Sequence, residues 1–250
     1  MNKTRDEAEE LLRSVVRDNT SGSGPVDVLV CPPAVFLERA VQVCAGSGVQ
    51  VGAQNVFDRP SGAYTGELSP PMLKSVGCTH VLAGHSERRK IFGETDGLIN
   101  RKVRASLEHG LLPVLCIGET LEERREGRAF EVLNGQIVYG LEGIDGRLLM
   151  NVVIAYEPVW AIGTGMSATC EQAEEAHRFI RETVERFAGA ETASGMRIIY
   201  GGSVNTENAE GLLGMEDIDG ALIGGACLKA ESFGAIINTA CRLTGVPGTG

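Results

Sequence analysis

Positive charge is in short supply in this sequence: 23 Lys and Arg stand against 33 Asp and Glu, for a net charge of −10 with histidine neutral. That balance argues against a nucleic-acid surface or an anionic membrane partner. It leaves room for a small anionic ligand, because backbone N–H groups and helix N-termini bind phosphate without side-chain charge. No apolar run reaches membrane-spanning length. The opening MNKTRDEAEELL is charged and helical, unlike a targeting segment. The seven cysteines (31, 44, 78, 116, 170, 227 and 241) contain no C-x-x-C pair. An odd number without motif spacing reads as reduced thiols in a cytoplasmic protein. Low-complexity segments, linkers and composition breaks are also missing, so a single domain over 1–250 is expected.

Glycine is plentiful, at 33 of 250 residues, while hydrophobic (43%) and charged (22%) fractions are ordinary. Many tight turns or close backbone approaches follow from the glycine content. The first segment reads as a helix, with Thr4 and Glu7 at capping-box spacing and Ala8, Leu11, Leu12, Val15 and Val16 on one face. SGSGP at 21–25 breaks it. Strands are expected at Val26–Cys31, Val49–Ala53, His80–Ala83, Leu112–Ile117, Val152–Tyr156, Arg197–Tyr200 and Ala221–Ile223. Helices are expected near 35–45, 70–76, 95–109, 119–139, 169–188, 206–213 and 231–243. Continuous apolar strands such as VLVC and VVIAY suit a parallel sheet buried on both faces, and regular alternation with helices gives the α/β class. Periodicity does not separate a closed barrel from a doubly wound open sheet.

Three segments carry chemistry. In AYEPVWAIGTG (155–165), Glu157 stands at the C-terminal end of a predicted strand, followed by a stiff entry and a small-residue tip. A carboxylate under a closing loop can act as a general base once water is excluded. A surface acid before an ordinary loop has the same local pattern. In AGHSERR (83–89), His85 also ends a strand, and the N-terminus of a following helix would hold its imidazole neutral, able to donate a proton and take it back. A lone histidine is as readily a packing residue, and ERR a solvated ion-pair face. YGGSVN (200–205) and IGGA (223–226) each follow a late strand. Single Gly-Gly pairs serve ordinary turns. Two at corresponding places after consecutive strands suit backbone N–H binding of phosphate, which barrels often hold there.

Taken in order, GAYTGE, GHSERR, CIGE, AYEPVWAIGTG and YGGSVN resemble the triosephosphate isomerase family, with the resemblance running from Met1 to about Leu243. It implies a TIM (β/α)8 barrel that interconverts dihydroxyacetone phosphate and glyceraldehyde 3-phosphate through an enediol(ate), in glycolysis and gluconeogenesis. By resemblance, Glu157 is the base, neutral His85 moves protons between the oxygens, and Glu87 supports the site. Residues 158–168 form the lid, including Pro158, Val159, Trp160, Ala161, Ile162, Thr164 and Gly165, and Tyr200 latches it. Backbone groups at Gly163, Ser203, Gly224 and Gly225 hold the phosphate. The resemblance implies no metal or organic cofactor. GAYTGE, with Thr65 near its tip, reaches into a second subunit of a homodimer.

Two departures qualify the match. The family's first strand ends in Asn-x-Lys-Met-Asn, and this sequence begins at Met1-Asn2, one residue past the lysine. Lys3 is not its equivalent. The expectation is a barrel whose first strand and lysine are missing from the sequence as given, with impaired turnover. The competing reading is a non-catalytic phosphate-binding barrel or truncated pseudoenzyme. Met166 replaces a usual lysine at the end of the lid, and residues 245–250 read as a disordered tail. Prepending a family-like strand ending in Asn-x-Lys is expected to raise turnover by ~10²–10³, as read in a coupled isomerase assay. Full activity without it would mean another group serves for the lysine.

Overall fold

The computed structural model describes residues 1–18, 26–162 and 167–245. The expected break at 21–25, the lid residues Gly163, Thr164, Gly165 and Met166, and the tail beyond Gly245 lie outside the described residues.

The chain enters through α1 (Arg5–Asp18). Thr4 donates to Glu7 Oε2 through both its N–H and its hydroxyl, at 2.6 and 2.7 Å. This satisfies an otherwise orphaned donor at the helix start. Strand β1 (Leu29–Val30), helix α2 (Leu37–Cys44), β2 (Gln50–Ala53), α3 (Pro70–Ser75) and β3 (His80–Ala83) follow. Then come α4 (Ser86–Phe92), α5 (Asp96–Glu108), β4 (Leu112–Ile117), α6 (Leu121–Arg125), α7 (Ala129–Leu141), α8 (Gly146–Leu149) and β5 (Val153–Tyr156). The last part runs α9 (Cys170–Ala188), α10 (Ala190–Gly195), β6 (Ile198–Tyr200), α11 (Ala209–Leu213), β7 (Gly220–Ala221) and α12 (Ala230–Leu243).

The seven strands are parallel and pair in sequence order from β1 to β7. The sheet curls. Leu29 and Cys31 from one edge, Leu82, Val114, Cys116 and Ala155 from the middle, and Leu222 from the other edge form one cluster on its concave side. The convex side is buried under the helices by Val81, Leu73 and Leu111 in one cluster, and by Ile99, Leu115, Ile154 and Ile198 in another. This is TIM-barrel architecture with seven strands among the described residues. β1 pairs only with β2, and β7 only with β6. Helix α1 packs against both α2 and α12, so it lies across the seam between the two edge strands.

The expected elements hold with instructive exceptions. The strands expected at Val26–Cys31 and Ala221–Ile223 are only two residues long. Each lacks a partner on one side, and unpaired edges fray. The single helix expected over 119–139 is instead α6 and α7, separated by Gly127 at φ +73, a left-handed conformation that ends helices. Helices α8 and α10 had no expectation, and α4 was expected only as a helix start after His85, without bounds. All three are short, and α4 (SERRKIF) has no apolar period to reveal it.

His177 of α9 is fully buried. Its Nδ1 lies 3.2 Å from the Asp217 carbonyl, and its ring meets Tyr156 edge-on at 5.8 Å. Burial pulls its pKa from 6.5 down to about 4. Above pH 6.5 the group is neutral whether the chain is folded or not. As pH falls from 6.5 to 4, the unfolded chain takes a proton that the folded one refuses, so stability falls, by roughly 3 kcal/mol in all. Thermal melts across that window are expected to show the loss, and His177→Phe to flatten it. Parallel profiles for the two proteins would contradict the assignment.

Candidate active site

The candidate groups converge at the C-terminal ends of β3 to β7, the end where barrel enzymes carry their chemistry. Glu157 directly follows β5. Its N–H donates to the Ile117 carbonyl at 2.7 Å, which extends the β4–β5 ladder one step and fixes where the side chain leaves. Glycines crowd it on two sides. A Cβ at Gly118 would stand 1.7 Å from the Glu157 carbonyl oxygen, and one at Gly201 would stand 2.9 Å from Glu157 Cγ. Neither position admits a larger residue without displacing the carboxylate.

The Glu157 side chain is only 2% exposed, and a charge so buried must be matched by donors. His85 Nε2 lies 3.0 Å from Oε1, and the Ser86 N–H donates to Oε2 at 2.9 Å. The Ser86 hydroxyl adds a longer contact of 3.4 Å to Oε1. Both residues come from the start of α4, with His85 as its N-cap. His85 Nδ1 accepts from the Glu87 N–H at 3.3 Å. The neutral imidazole with its hydrogen on Nε2 satisfies both bonds at once.

The electrostatics differ from the sequence expectation of an imidazole held neutral by the helix N-terminus. Burial pulls the His85 pKa down, but the Glu157 hydrogen bond and charge, with a smaller contribution from Glu87, outweigh it. The net shift is upward from the ordinary value. The helix terminus is present as expected, but the carboxylate in contact with Nε2 is the stronger influence. Glu87 is itself exposed, with its carboxylate 3.9 Å from Nδ1. Cys116 lies beside Glu157, and burial and that negative charge hold its thiol well above its usual range.

Helix α4 is held firmly. Arg89 donates to the Gly84 and Cys116 carbonyls at 2.9 and 3.1 Å and pairs with Asp96. Buried Glu94 pairs with both Arg88 and Lys102, and Lys102 also donates to Asn55 at 2.7 Å. The imidazole is thereby fixed against β3, β4 and α5.

The first described stretch of the lid, residues 158–162, rises from Glu157 through a 3₁₀ turn over Val159–Ala161. Trp160 Nε1 donates to Glu119 Oε1 at 2.8 Å, and the Tyr156 hydroxyl reaches the same oxygen at 3.2 Å. Arg124 pairs with Glu119 at 3.1 Å and lies 4.8 Å over the Trp160 ring. The Ser203 hydroxyl donates to the Ala161 carbonyl at 2.6 Å. Tyr200 is buried and folds its hydroxyl over Gly202, where a Cβ would come within 2.1 Å of it. Burial pushes its phenol up to about 12, while the backbone of Ala168, the last lid residue, acts in the other direction. Gly224 and Gly225 open a 3₁₀ turn after β7, and a Cβ at either would meet nothing within 4 Å. Thr65 is exposed, away from this cluster, in a loop where the Phe57 and Tyr64 rings meet at a tilt with centroids 4.5 Å apart.

Glu157, His85, Glu87, Ser203, Tyr200 and the first lid residues are thus brought to one end of the barrel, together with Gly224 and Gly225. Sequence reasoning missed Ser86, Glu119 and Gln136. Glu119 lies within the quoted CIGE, and Gln136 sits on a helix with no motif to mark it. Among the described residues, no group of three or more His, Cys, Asp or Glu side chains is arranged to hold a metal ion.

A family model described as triosephosphate isomerase matches residues 1–240. The triosephosphate isomerase of Geotalea uraniireducens is 50% identical over 235 residues, covering 94% of this chain and 93% of the relative. That of Moorella thermoacetica is 48% identical over 241 residues, covering 95% and 94%. That of Geobacter metallireducens is 51% identical over 213 residues, covering 85% of each.

Proposed function

The chain belongs to the triosephosphate isomerase family, and from that premise we propose that it interconverts dihydroxyacetone phosphate and glyceraldehyde 3-phosphate with Glu157 as the base. The observation that carries the assignment is the Glu157–His85 pair: a buried carboxylate 3.0 Å from an imidazole nitrogen at the top of the barrel. An aldose–ketose isomerisation needs these two groups. The carboxylate removes a proton from the carbon beside the carbonyl and returns it to the neighbouring carbon. The imidazole gives a proton to the carbonyl oxygen, whose charge grows in the enediolate, and takes one from the adjacent hydroxyl. Each proton taken up is handed on, so the carboxylate ends ionised and the imidazole neutral as they began, and the reaction consumes no co-reactant.

His85 suits this role for a specific reason. With Nδ1 accepting from the Glu87 N–H, the transferable hydrogen is on Nε2, the nitrogen that faces Glu157. A triose entering the site would take over the Nε2 contact from the carboxylate, removing the influence that raises the imidazole pKa. Glu87 would then support the ring from the Nδ1 side. The lid from Pro158 through Ile162, continuing through Gly163, Thr164 and Gly165, would exclude water, with Tyr200 latching it. Phosphate would bind through backbone groups at Gly163, Ser203, Gly224 and Gly225. The Ser203 hydroxyl donates to the Ala161 carbonyl, tying this turn to the start of the lid, and the two glycines face open space.

A homodimer also belongs to this reading. Val35, Tyr64, Met72, Ile91 and Phe92 are exposed apolar side chains on the part of the chain that carries the Thr65 loop. A cytoplasmic location fits the free state of all seven cysteines, and the whole chain is read as one barrel domain. No helix among the described residues is long and apolar enough to cross a membrane.

Glu157→Asp tests the base directly. Shortening the side chain withdraws the carboxylate by about 1 Å, and a displacement of that size can cost ~10²-fold in rate. Compared with a parent of identical N-terminus, the variant is expected to lose turnover by about that factor and KM to change little. Unchanged turnover would remove Glu157 from the role.

A further inference from the structure

Beyond the groups that would touch substrate, one side chain closes a two-bond ring with the backbone beside Glu157. Gln136 projects from α7 to the end of β4. The Gly118 N–H donates to Gln136 Oε1 at 2.7 Å, and Gln136 Nε2 donates back to the Gly118 carbonyl at 3.2 Å. Both polar groups of one residue are therefore taken by a single side-chain amide, as a neighbouring strand would take them.

The need for that substitute follows from the ladder. Ile117 turns its carbonyl toward β5, where Glu157 donates to it. Alternation along a strand turns the groups of Gly118 the other way, toward β3. The β3–β4 register ends with Ala83 opposite Leu115, so no strand remains there to pair with Gly118. Buried backbone groups without partners are costly, and the amide of Gln136 fills the gap.

Gly118 is also where both halves of the site rest. Its backbone is so close to Glu157 that a Cβ would stand 1.7 Å from the Glu157 carbonyl oxygen and 3.3 Å from its Cα. The next residue, Glu119, accepts from the Val159 N–H at 3.1 Å through its carbonyl and from Trp160 Nε1 through its carboxylate. A shift at Gly118 would pass to the candidate base on one side and to the lid on the other. We propose that Gln136 is a positioning residue for the isomerisation, its amide fixing the β4 end that sets both Glu157 and the root of the lid. The inference rests on the reading of Glu157 as the base.

The test compares the full chain with Gln136→Met, which keeps length but removes both hydrogen bonds, and with Gln136→Glu, which keeps the acceptor alone. Three measurements are made on each: kcat and KM, the NMR titration of His85 among only four histidines, and the fluorescence of Trp160, the single tryptophan. Gln136→Met is expected to melt cooperatively, to lose roughly 10- to 100-fold in kcat with KM within about threefold, and to shift the Trp160 emission. Its His85 midpoint should fall as the contact with Glu157 loosens. Gln136→Glu should be slow while ionised. Its kcat relative to the parent should climb as pH drops through the carboxyl range and the donor to Gly118 is restored. Lower stability of Gln136→Met with parental kcat and a parental His85 midpoint would overturn the proposal, leaving Gln136 as packing only. If that variant does not fold, a pH-independent rate ratio for Gln136→Glu would overturn it equally. The His85 midpoint needs no turnover, so a slow parent does not block the test. A Glu157→Gln control separates the two readings: unchanged rate there sinks the base assignment, whereas a large loss there with neutral Gln136 variants sinks only this one.

Discussion

Three carboxylates, Glu94, Glu119 and Glu157, are buried around the candidate site, and accommodating them organises most of what surrounds it. A buried charge is tolerated only where donors or cations meet it. Glu157 takes His85 and the Ser86 N–H from the start of α4. Glu119 takes Trp160, Tyr156 and Arg124. Glu94 takes Arg88 and Lys102. The three sets interlock, because Arg88 lies on the helix that begins beside His85, and Glu119 follows the glycine packed on Glu157. Removing one partner would leave a charge without its match, so these three sets hold one another in place.

Small residues make that interlocking possible. Gly118 and Gly201 flank Glu157, one at its backbone and one at its side chain, and Gly202 lies under the Tyr200 hydroxyl. Each is required by a close approach and not by its dihedral angle, since none is among the positive-φ glycines. Two uses of glycine are therefore visible here. Positions such as Gly93 and Gly127 end helices in the left-handed region, while those at the strand ends clear space for charged and aromatic groups from neighbouring strands.

Much of this was legible in the sequence, for reasons that can be located. The strands at His80–Ala83 and Leu112–Ile117 are continuous apolar runs between turn residues, and both came out with the expected bounds. Glu157 and His85 stand at strand ends, where a fold with all its strands parallel gathers its chemistry. What stayed hidden depends on long-range pairing. Gln136 reads as one polar residue on a mostly apolar helix, and only the folded chain brings it to Gly118, eighteen residues earlier. The two-residue edge strands were overestimated because apolar runs carry no information about whether a neighbour is present on each side. The break between α6 and α7 was signalled by Gly127, but the flanking helical pattern outweighed a single glycine.

The two histidines nearest β5 illustrate why position alone does not set chemistry. His177 is fully buried and His85 partly so, and in each burial acts to lower the pKa. His177 faces a backbone carbonyl and two tyrosine rings, and that carbonyl together with the more distant Asp219 and Asp217 offsets burial only in part, so its pKa stays low. His85 faces the Glu157 carboxylate, and the balance reverses. The same imidazole is therefore a packing element in one place and the partner of a buried carboxylate in the other. The difference is one carboxylate at hydrogen-bond distance. It follows that whatever holds that carboxylate in place also sets the proton affinity of His85. The residues around Gly118 thereby have a chemical consequence although none of them reaches the imidazole.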